Sequence, residues 1–147
     1  MGEVYFYHIT RNPLHVTLGT LIERSLAADW RVEVRGTSPD ALSALSARLW
    51  ERDGFLAHGI AGGEHDSDQP VLLTTMTGGN DATCLMSVGG ADVTPDEIGR
   101  LERTCILFDG HAPDAVQTAR QQWKTLTDAG CAAQYWSEES GRWTKKA

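Results

Sequence analysis

A small group of basic and aromatic residues stands near the end of an acidic chain. In the stretch RQQWKTLTDAGCAAQYW, residues 120 to 136, Arg120, Trp123 and Lys124 are spaced i, i+3 and i+4. On a helix this spacing places the three side chains on one face. Guanidinium and ammonium groups bind anionic partners, and an indole packs against apolar groups. The plainer alternative is a solvated helix face with Trp123 partly buried.

The charge of the chain is unevenly distributed. The formal net charge is −7, from 13 basic and 20 acidic residues. Residues 117–147 hold five basic and three acidic residues, whereas the remainder holds eight basic and 17 acidic ones. All three lysines, Lys124, Lys145 and Lys146, lie in the last 24 residues. A negative body disfavours tight non-specific binding to DNA or RNA, and the local positive site suits a small acidic partner.

Other chemical motifs are missing from the sequence. It contains no GxGxxG, GxxxxGK[ST], GxSxG, HxxxH or CxxC pattern, so it predicts no cofactor, no metal site and no catalytic residue. The three cysteines are interpreted as buried apolar thiols. Asp109 follows a predicted strand and precedes Gly110, which favours a turn over a catalytic acid. His58 lies in a loop, where a structural hydrogen bond is favoured over ligand binding or catalysis.

Hydrophobic periodicity predicts the elements that must position these residues. Helices are predicted at 14–28, from 39 to about 50–52, as a short segment that starts at the capping box 94–97, and at 113–129. Strands are predicted at 4–9, 31–35, 71–75, 83–88, 103–108 and 132–136. Asn12 and Ser38 are candidate helix caps, Thr94 and Glu97 form a capping box, and Gly130 is a helix stop.

The alternation of strands and helices predicts an α/β sandwich around a mostly parallel sheet, in one domain over residues 1–147. No apolar run approaches the roughly 18 to 20 residues of a membrane span. The first residues do not resemble a signal peptide. A cytoplasmic protein with no membrane contact is therefore expected.

Five segments in order resemble the chi subunit family of bacterial DNA polymerase III: FYHIT, DWRVEVRG, LSARLWERDGFLAHGIAG, RTCILFDG and ARQQWKTLTDAGCAAQYW. The resemblance runs from about residue 5 to residue 143. It implies a three-layer Rossmann-like sandwich without a working nucleotide site. It also implies a non-catalytic accessory subunit of the clamp-loader complex, which meets DNA only indirectly. Such a subunit binds the acidic C-terminal tail of the single-stranded-DNA-binding protein, whose last residue is Phe.

The resemblance also implies site residues. Arg120 and Lys124 match two basic tail-binding positions, and Trp123 or its apolar neighbours would form a wall of the pocket for the Phe ring. Val116 stands at a third position that is basic in the family. Its missing cation would come from Arg142, or from Lys145 or Lys146, if the C-terminal ribbon folds over the helix. A second surface, for the psi subunit or directly for the clamp loader, corresponds to Trp50, Phe55 and His58.

Two rival functions remain open. The same fold suits a small-molecule or nucleotide-binding enzyme, which would bind a nucleotide but not an acidic peptide. Direct binding of single-stranded DNA would need aromatic rings in a positive groove. The negative net charge disfavours this second rival.

Overall fold

The chain forms a parallel sheet with helices on both faces in a computed structural model that describes residues 2–51, 58–62, 66–76 and 80–147. Within these residues the strands are β1 Glu3–Ile9, β2 Val32–Arg35, β3 Gly59–Ile60, β4 Val71–Thr74, β5 Cys84–Ser87, β6 Arg103–Asp109, β7 Ala132–Ser137 and β8 Thr144–Lys145. The α-helices are α1 Leu14–Ala27, α2 Pro39–Glu51, α3 Pro95–Arg100 and α4 Pro113–Asp128, and a 3₁₀ turn covers Asp66–Asp68.

The strands form one sheet in the order β3-β4-β2-β5-β6-β1-β7-β8. Every neighbouring pair is parallel except β7 and β8, in which Trp136 lies opposite Lys145. The prediction of an α/β sandwich with a mostly parallel sheet is confirmed. After β7 the chain turns back and forms β8, which pairs antiparallel with β7. This C-terminal ribbon extends the edge of the sheet and lies in the plane of the sheet.

The core has two layers, one on each face of the sheet. Strand β1 supplies both, since successive side chains of a strand point to opposite faces. Val4 and Phe6 pack with residues of α3 and α4, including Ile98 and Leu126. On the opposite face Ile9 packs with residues of α1 and α2. The neighbouring strand β6 also supplies both layers, with Cys105 and Leu107 on one face and Ile106 and Phe108 on the other.

Local signals in the sequence account for some of the helix ends. The Thr94 hydroxyl accepts a hydrogen bond from the amide of Glu97, whose carboxylate accepts one from the amide of Thr94, so the capping box is confirmed. Gly130 adopts φ +88° after α4, as a helix stop requires. The prediction that Asn12 caps α1 is wrong. Its side-chain amide donates to Glu138 instead, 3.2 Å away, and α1 has no side-chain cap.

Among the described residues, no α-helix is long and apolar enough to cross a bilayer.

Candidate functional site

The carboxyl ends of β1 and β6 form the rim of a surface crevice. After β1 the chain enters α1 on one face, and after β6 it enters α4 on the opposite face. The two loops therefore part, and a crevice opens where α/β folds commonly bind ligands. This carboxyl-end crevice has a volume of about 640 Å³ and is lined by His8, Thr10, Arg11, Gly110, His111, Val116, Arg120 and Glu139.

Glu138 closes the inner side of the loop that follows β1. Its carboxylate oxygen Oε1 accepts hydrogen bonds from the backbone amides of Thr10, Arg11 and Asn12, at 2.9, 2.7 and 3.1 Å. Burial raises the pKa of this carboxyl, but the hydrogen bonds outweigh burial and hold the pKa below its ordinary value. Consecutive amides of this kind bind anions in other folds. Here the anion is part of the chain.

The His8 ring lines the crevice and packs against two aromatic side chains that are not among its lining residues, Phe108 and Tyr135. The His8 ring lies 5.1 Å from the ring of Phe108, and its Nδ1 atom is 2.8 Å from the Tyr135 hydroxyl. The His8 ring also fills the space beside Gly110 that a β-carbon would need. Burial raises the pKa of Tyr135 despite the nearby Arg120 cation, so the hydroxyl stays protonated.

Besides His8, three basic side chains line the crevice. Arg120 is exposed on α4, and no hydrogen bond or ion pair joins its guanidinium to another described residue. Arg11 donates to the carbonyl oxygens of Glu138 and Glu139, at 3.2 and 2.8 Å, so its guanidinium is fixed. His111 donates from Nε2 to the carbonyl oxygen of Thr10, 2.7 Å away. Arg120 is therefore the cation most available to an incoming anion.

The basic and aromatic face of α4 is only partly as predicted. Lys124 is exposed one turn after Arg120, and its ammonium group donates to Asp128 at 2.9 Å, which raises the pKa of the lysine. Trp123 points toward the sheet. Its ring meets Phe6 at 5.2 Å and Tyr135 at 5.9 Å, both edge to face. Arg120 and Lys124 thus share the solvent face, while Trp123 fixes the helix to the strands beneath.

Arg142 does not line the crevice. It is exposed in the turn between β7 and β8, where its carbonyl oxygen accepts a hydrogen bond from Ser140. Since the ribbon follows the sheet edge and does not cover α4, the basic side chains that line the crevice with Val116 and Arg120 are instead Arg11 and the two histidines, among them His111. Sequence reasoning missed Arg11 and His111. The available signal was their position, since each follows the carboxyl end of a strand at a switch point of the sheet.

Comparison with protein families identifies the chain. A family model described as "DNA polymerase III chi subunit, HolC" matches residues 1–134. The chain belongs to the chi subunit family of DNA polymerase III. The match covers β1 through the first half of β7, including Val116, Arg120 and Lys124, and stops before Glu138 and β8. The predicted family is thereby confirmed, and with it an association with DNA polymerase III.

Comparison with solved structures shows the fold alone. The C-terminal domain of the DEAD-box protein Dbp5 superimposes with a TM-score of 0.56 over 92% of this chain and 90% of that one, at 12% identity. A search of curated protein sequences finds no match.

The second surface predicted for a chi-family chain lies at the end of α2. Trp50 is 51% exposed, and its ring is 4.3 Å from the ring of His58. His58 is buried, and its Nε2 atom is 2.8 Å from the Ser46 hydroxyl. The prediction of a structural hydrogen bond for His58 is confirmed. Phe55 lies outside the described residues.

Proposed function

We propose that this chi-family chain is a non-catalytic subunit of the clamp-loader complex that binds the acidic C-terminal tail of the single-stranded-DNA-binding protein. The observation that carries the proposal is Arg120, an exposed cation without a described partner, beside the apolar side chain of Val116 in a crevice. A C-terminal Phe offers the matching groups, an aromatic ring and an α-carboxylate.

The recognition follows from the position of each group. Arg120 binds the terminal carboxylate, while Val116 and the His8 ring contact the Phe ring. Lys124 exchanges Asp128 for an aspartate of the tail. Each exposed ion pair contributes ~0.2 to 1 kcal/mol, and burial of the ring contributes ~1.5 to 3 kcal/mol. Affinity is therefore modest and falls as salt rises.

A nucleotide-dependent enzyme is the less favoured function. In α/β folds that bind nucleotides, a phosphate group takes hydrogen bonds from amides at the first turn between strand and helix. In this chain the Glu138 carboxylate already accepts hydrogen bonds from the backbone amides of Thr10, Arg11 and Asn12. A phosphate at this place would meet a carboxylate of the same charge.

The exposed Trp50 supports a second protein contact, with the psi subunit or another clamp-loader subunit. Tryptophan is among the residues that contribute most to protein interfaces. Trp50 lies at the end of α2, on the face of the sheet opposite α4. The two partners can therefore bind simultaneously, and DNA is reached only through them.

The experiment is a titration of the isotope-labelled protein with a peptide of aspartates ending in Phe, followed by amide NMR. Shifts are expected at residues 10–12, 110–112 and 116–124. A peptide with an amidated C-terminus is the matched control and should bind more weakly, since the carboxylate is lost. Shifts confined to the region of Trp50, or equal binding of both peptides, would contradict the proposal. Nucleotide binding at residues 10–12 would favour the enzyme.

A further inference from the structure

A second cavity lies on the opposite face of the sheet from α4. Tyr5 and Tyr7 of β1 line it, whereas Phe6 and His8 point toward α4. Ser25 in the last turns of α1 and Arg103 at the start of β6 also line it, so it lies toward the amino ends of the strands. Its volume of about 370 Å³ falls within the range of roughly 300 to 1,000 Å³ typical of small-molecule sites. It is separate from the carboxyl-end crevice.

The walls of this cavity are rich in aromatic rings. Tyr7 meets Trp143 edge to face with centroids 5.3 Å apart, and Tyr5 lies 6.4 Å from Tyr7. The aromatic lining residues are Tyr5, Tyr7, Trp30, Trp136 and Trp143. Three of the five tryptophans of the chain therefore face one cavity. Such rings offer flat surfaces on which another planar ring stacks.

The charged groups of the cavity are both cations. The Arg103 guanidinium lies 4.0 Å above the Tyr5 ring and 5.5 Å from the Trp30 ring. Its Nε atom is buried without a hydrogen-bond partner, and no described acid forms an ion pair with it. Arg24 is exposed and adds a second positive charge. No aspartate or glutamate is among the described lining residues, in a chain whose net charge is −7.

We propose that this aromatic cavity binds a nucleobase that carries a phosphate, with the base stacked on the rings and the phosphate held by Arg103 and Arg24. An aliphatic ligand would leave the buried Nε of Arg103 without a hydrogen-bond acceptor, and an isolated anion would not use the rings. Burial raises the pKa of Tyr7, so its hydroxyl remains protonated and available to a base carbonyl. The source of the nucleotide is either a free mononucleotide or one residue of single-stranded DNA.

Tryptophan fluorescence reports on this cavity directly. In the Trp50→Phe, Trp123→Phe double variant, all remaining tryptophans line the cavity. Titration with thymidine 5′-monophosphate should quench the emission, and thymidine without phosphate should bind about two- to fivefold more weakly, as for loss of an exposed ion pair. A pentamer of thymidylate that binds more tightly than the monomer identifies DNA as the source. Equal affinity identifies the free nucleotide, and both outcomes support the site.

Charge variants decide whether the cavity is responsible. Arg103→Gln and Arg24→Gln should each weaken thymidine monophosphate binding about two- to fivefold. The control is Arg48→Gln, at an exposed side chain of α2, which should leave this binding unchanged. Circular dichroism verifies that each variant folds. No quenching at millimolar nucleotide, or equal affinity in the Arg103→Gln, Arg24→Gln double variant, would overturn the proposal. The proposal would also be overturned if the acidic peptide ending in Phe quenched the emission and competed with the nucleotide, because the cavity would then be a peptide site.

Discussion

The carboxylate of Glu138 lies 2.7 Å from the backbone nitrogen of Arg11 and joins the C-terminal ribbon to the end of the first strand. Two further amides, of Thr10 and Asn12, donate to the same oxygen. The loop after β1 is therefore held in one conformation by a residue more than a hundred positions away. This link shapes the crevice in which Arg11 and Arg120 lie.

Glu138→Gln should destabilise the fold by roughly 1 to 2 kcal/mol at pH 7, because hydrogen bonds to a charged acceptor are about twice as strong as neutral ones. The folded pKa of Glu138 lies below its ordinary value of 4.5. Its contribution is therefore complete above that value and is lost as the pH falls below it. Urea unfolding at pH 7 and pH 3.5 should show the difference between wild type and variant shrinking. The exposed Glu51→Gln is the control, with a change under about 0.5 kcal/mol. A pH-independent difference would contradict the role of the charge.

Arg120→Gln and Lys124→Gln should each weaken binding of the acidic peptide about two- to fivefold and should flatten its dependence on salt. The loss for Arg120 should be the larger of the two, because Lys124 must first give up Asp128. Isothermal titration calorimetry at two salt concentrations measures both effects, and Arg48→Gln is the matched control. A double variant that binds as tightly as wild type would exclude this face of α4 from the site.

Glu139→Gln should strengthen peptide binding about two- to fivefold, the size of one exposed like-charge contact. Glu139 lines the crevice, and its carboxylate lies 3.9 Å from the His8 ring. It therefore repels an acidic ligand. The same calorimetric titration tests this gain, and weaker binding by the variant would place the tail outside the crevice.

Trp123→Ala should cost about 3 kcal/mol of stability, since it removes a ring packed against Phe6 and Tyr135. Trp123→Phe keeps an aromatic ring and should cost less. If Trp123 acts by fixing α4, the Phe variant should bind the peptide nearly as well as wild type. Thermal unfolding measures the first effect and calorimetry the second. A Phe variant that folds fully but fails to bind would show direct contact between the indole and the tail.

Trp50→Ala should cost less than about 1 kcal/mol, as expected for a change at the surface, because half of its side chain is exposed. Its binding to a psi or clamp-loader subunit should nevertheless fall, while peptide binding stays unchanged. Co-purification with the partner subunits and thermal unfolding separate the two effects. A severe loss of stability would identify Trp50 as a core residue.

The elements with a strong local signal were predictable from the sequence. Strand β6, predicted at 103–108, covers Arg103–Asp109, and α4, predicted at 113–129, covers Pro113–Asp128. In β6 the signal is a continuous run of buried residues, and α4 is bounded by Pro113 at its start and Gly130 after its end. The two-residue strands β3 and β8 were not predicted as strands, because two residues establish no period.

The candidate site was only partly predictable. Arg120 and Lys124 were found because their spacing on one helix is local information. Arg11 and His111 lie near Arg120 only because β1 and β6 are neighbours in the sheet. The sequence pattern does not predict this order of strands. Asn12 was assigned to α1 as a cap because a sequence shows the neighbouring helix but not Glu138, which reaches it from the ribbon.

Gly110 contributes to the crevice through the side chain that it lacks. Because glycine has no β-carbon, the His8 ring can lie directly beside Gly110. In this position the ring contacts Tyr135 and Phe108. A methyl group added at position 110 would clash with the His8 ring and with the Thr10 methyl group, so these side chains would have to move. A dipeptide that resembles an ordinary turn therefore fixes where an imidazole that lines the crevice can stand.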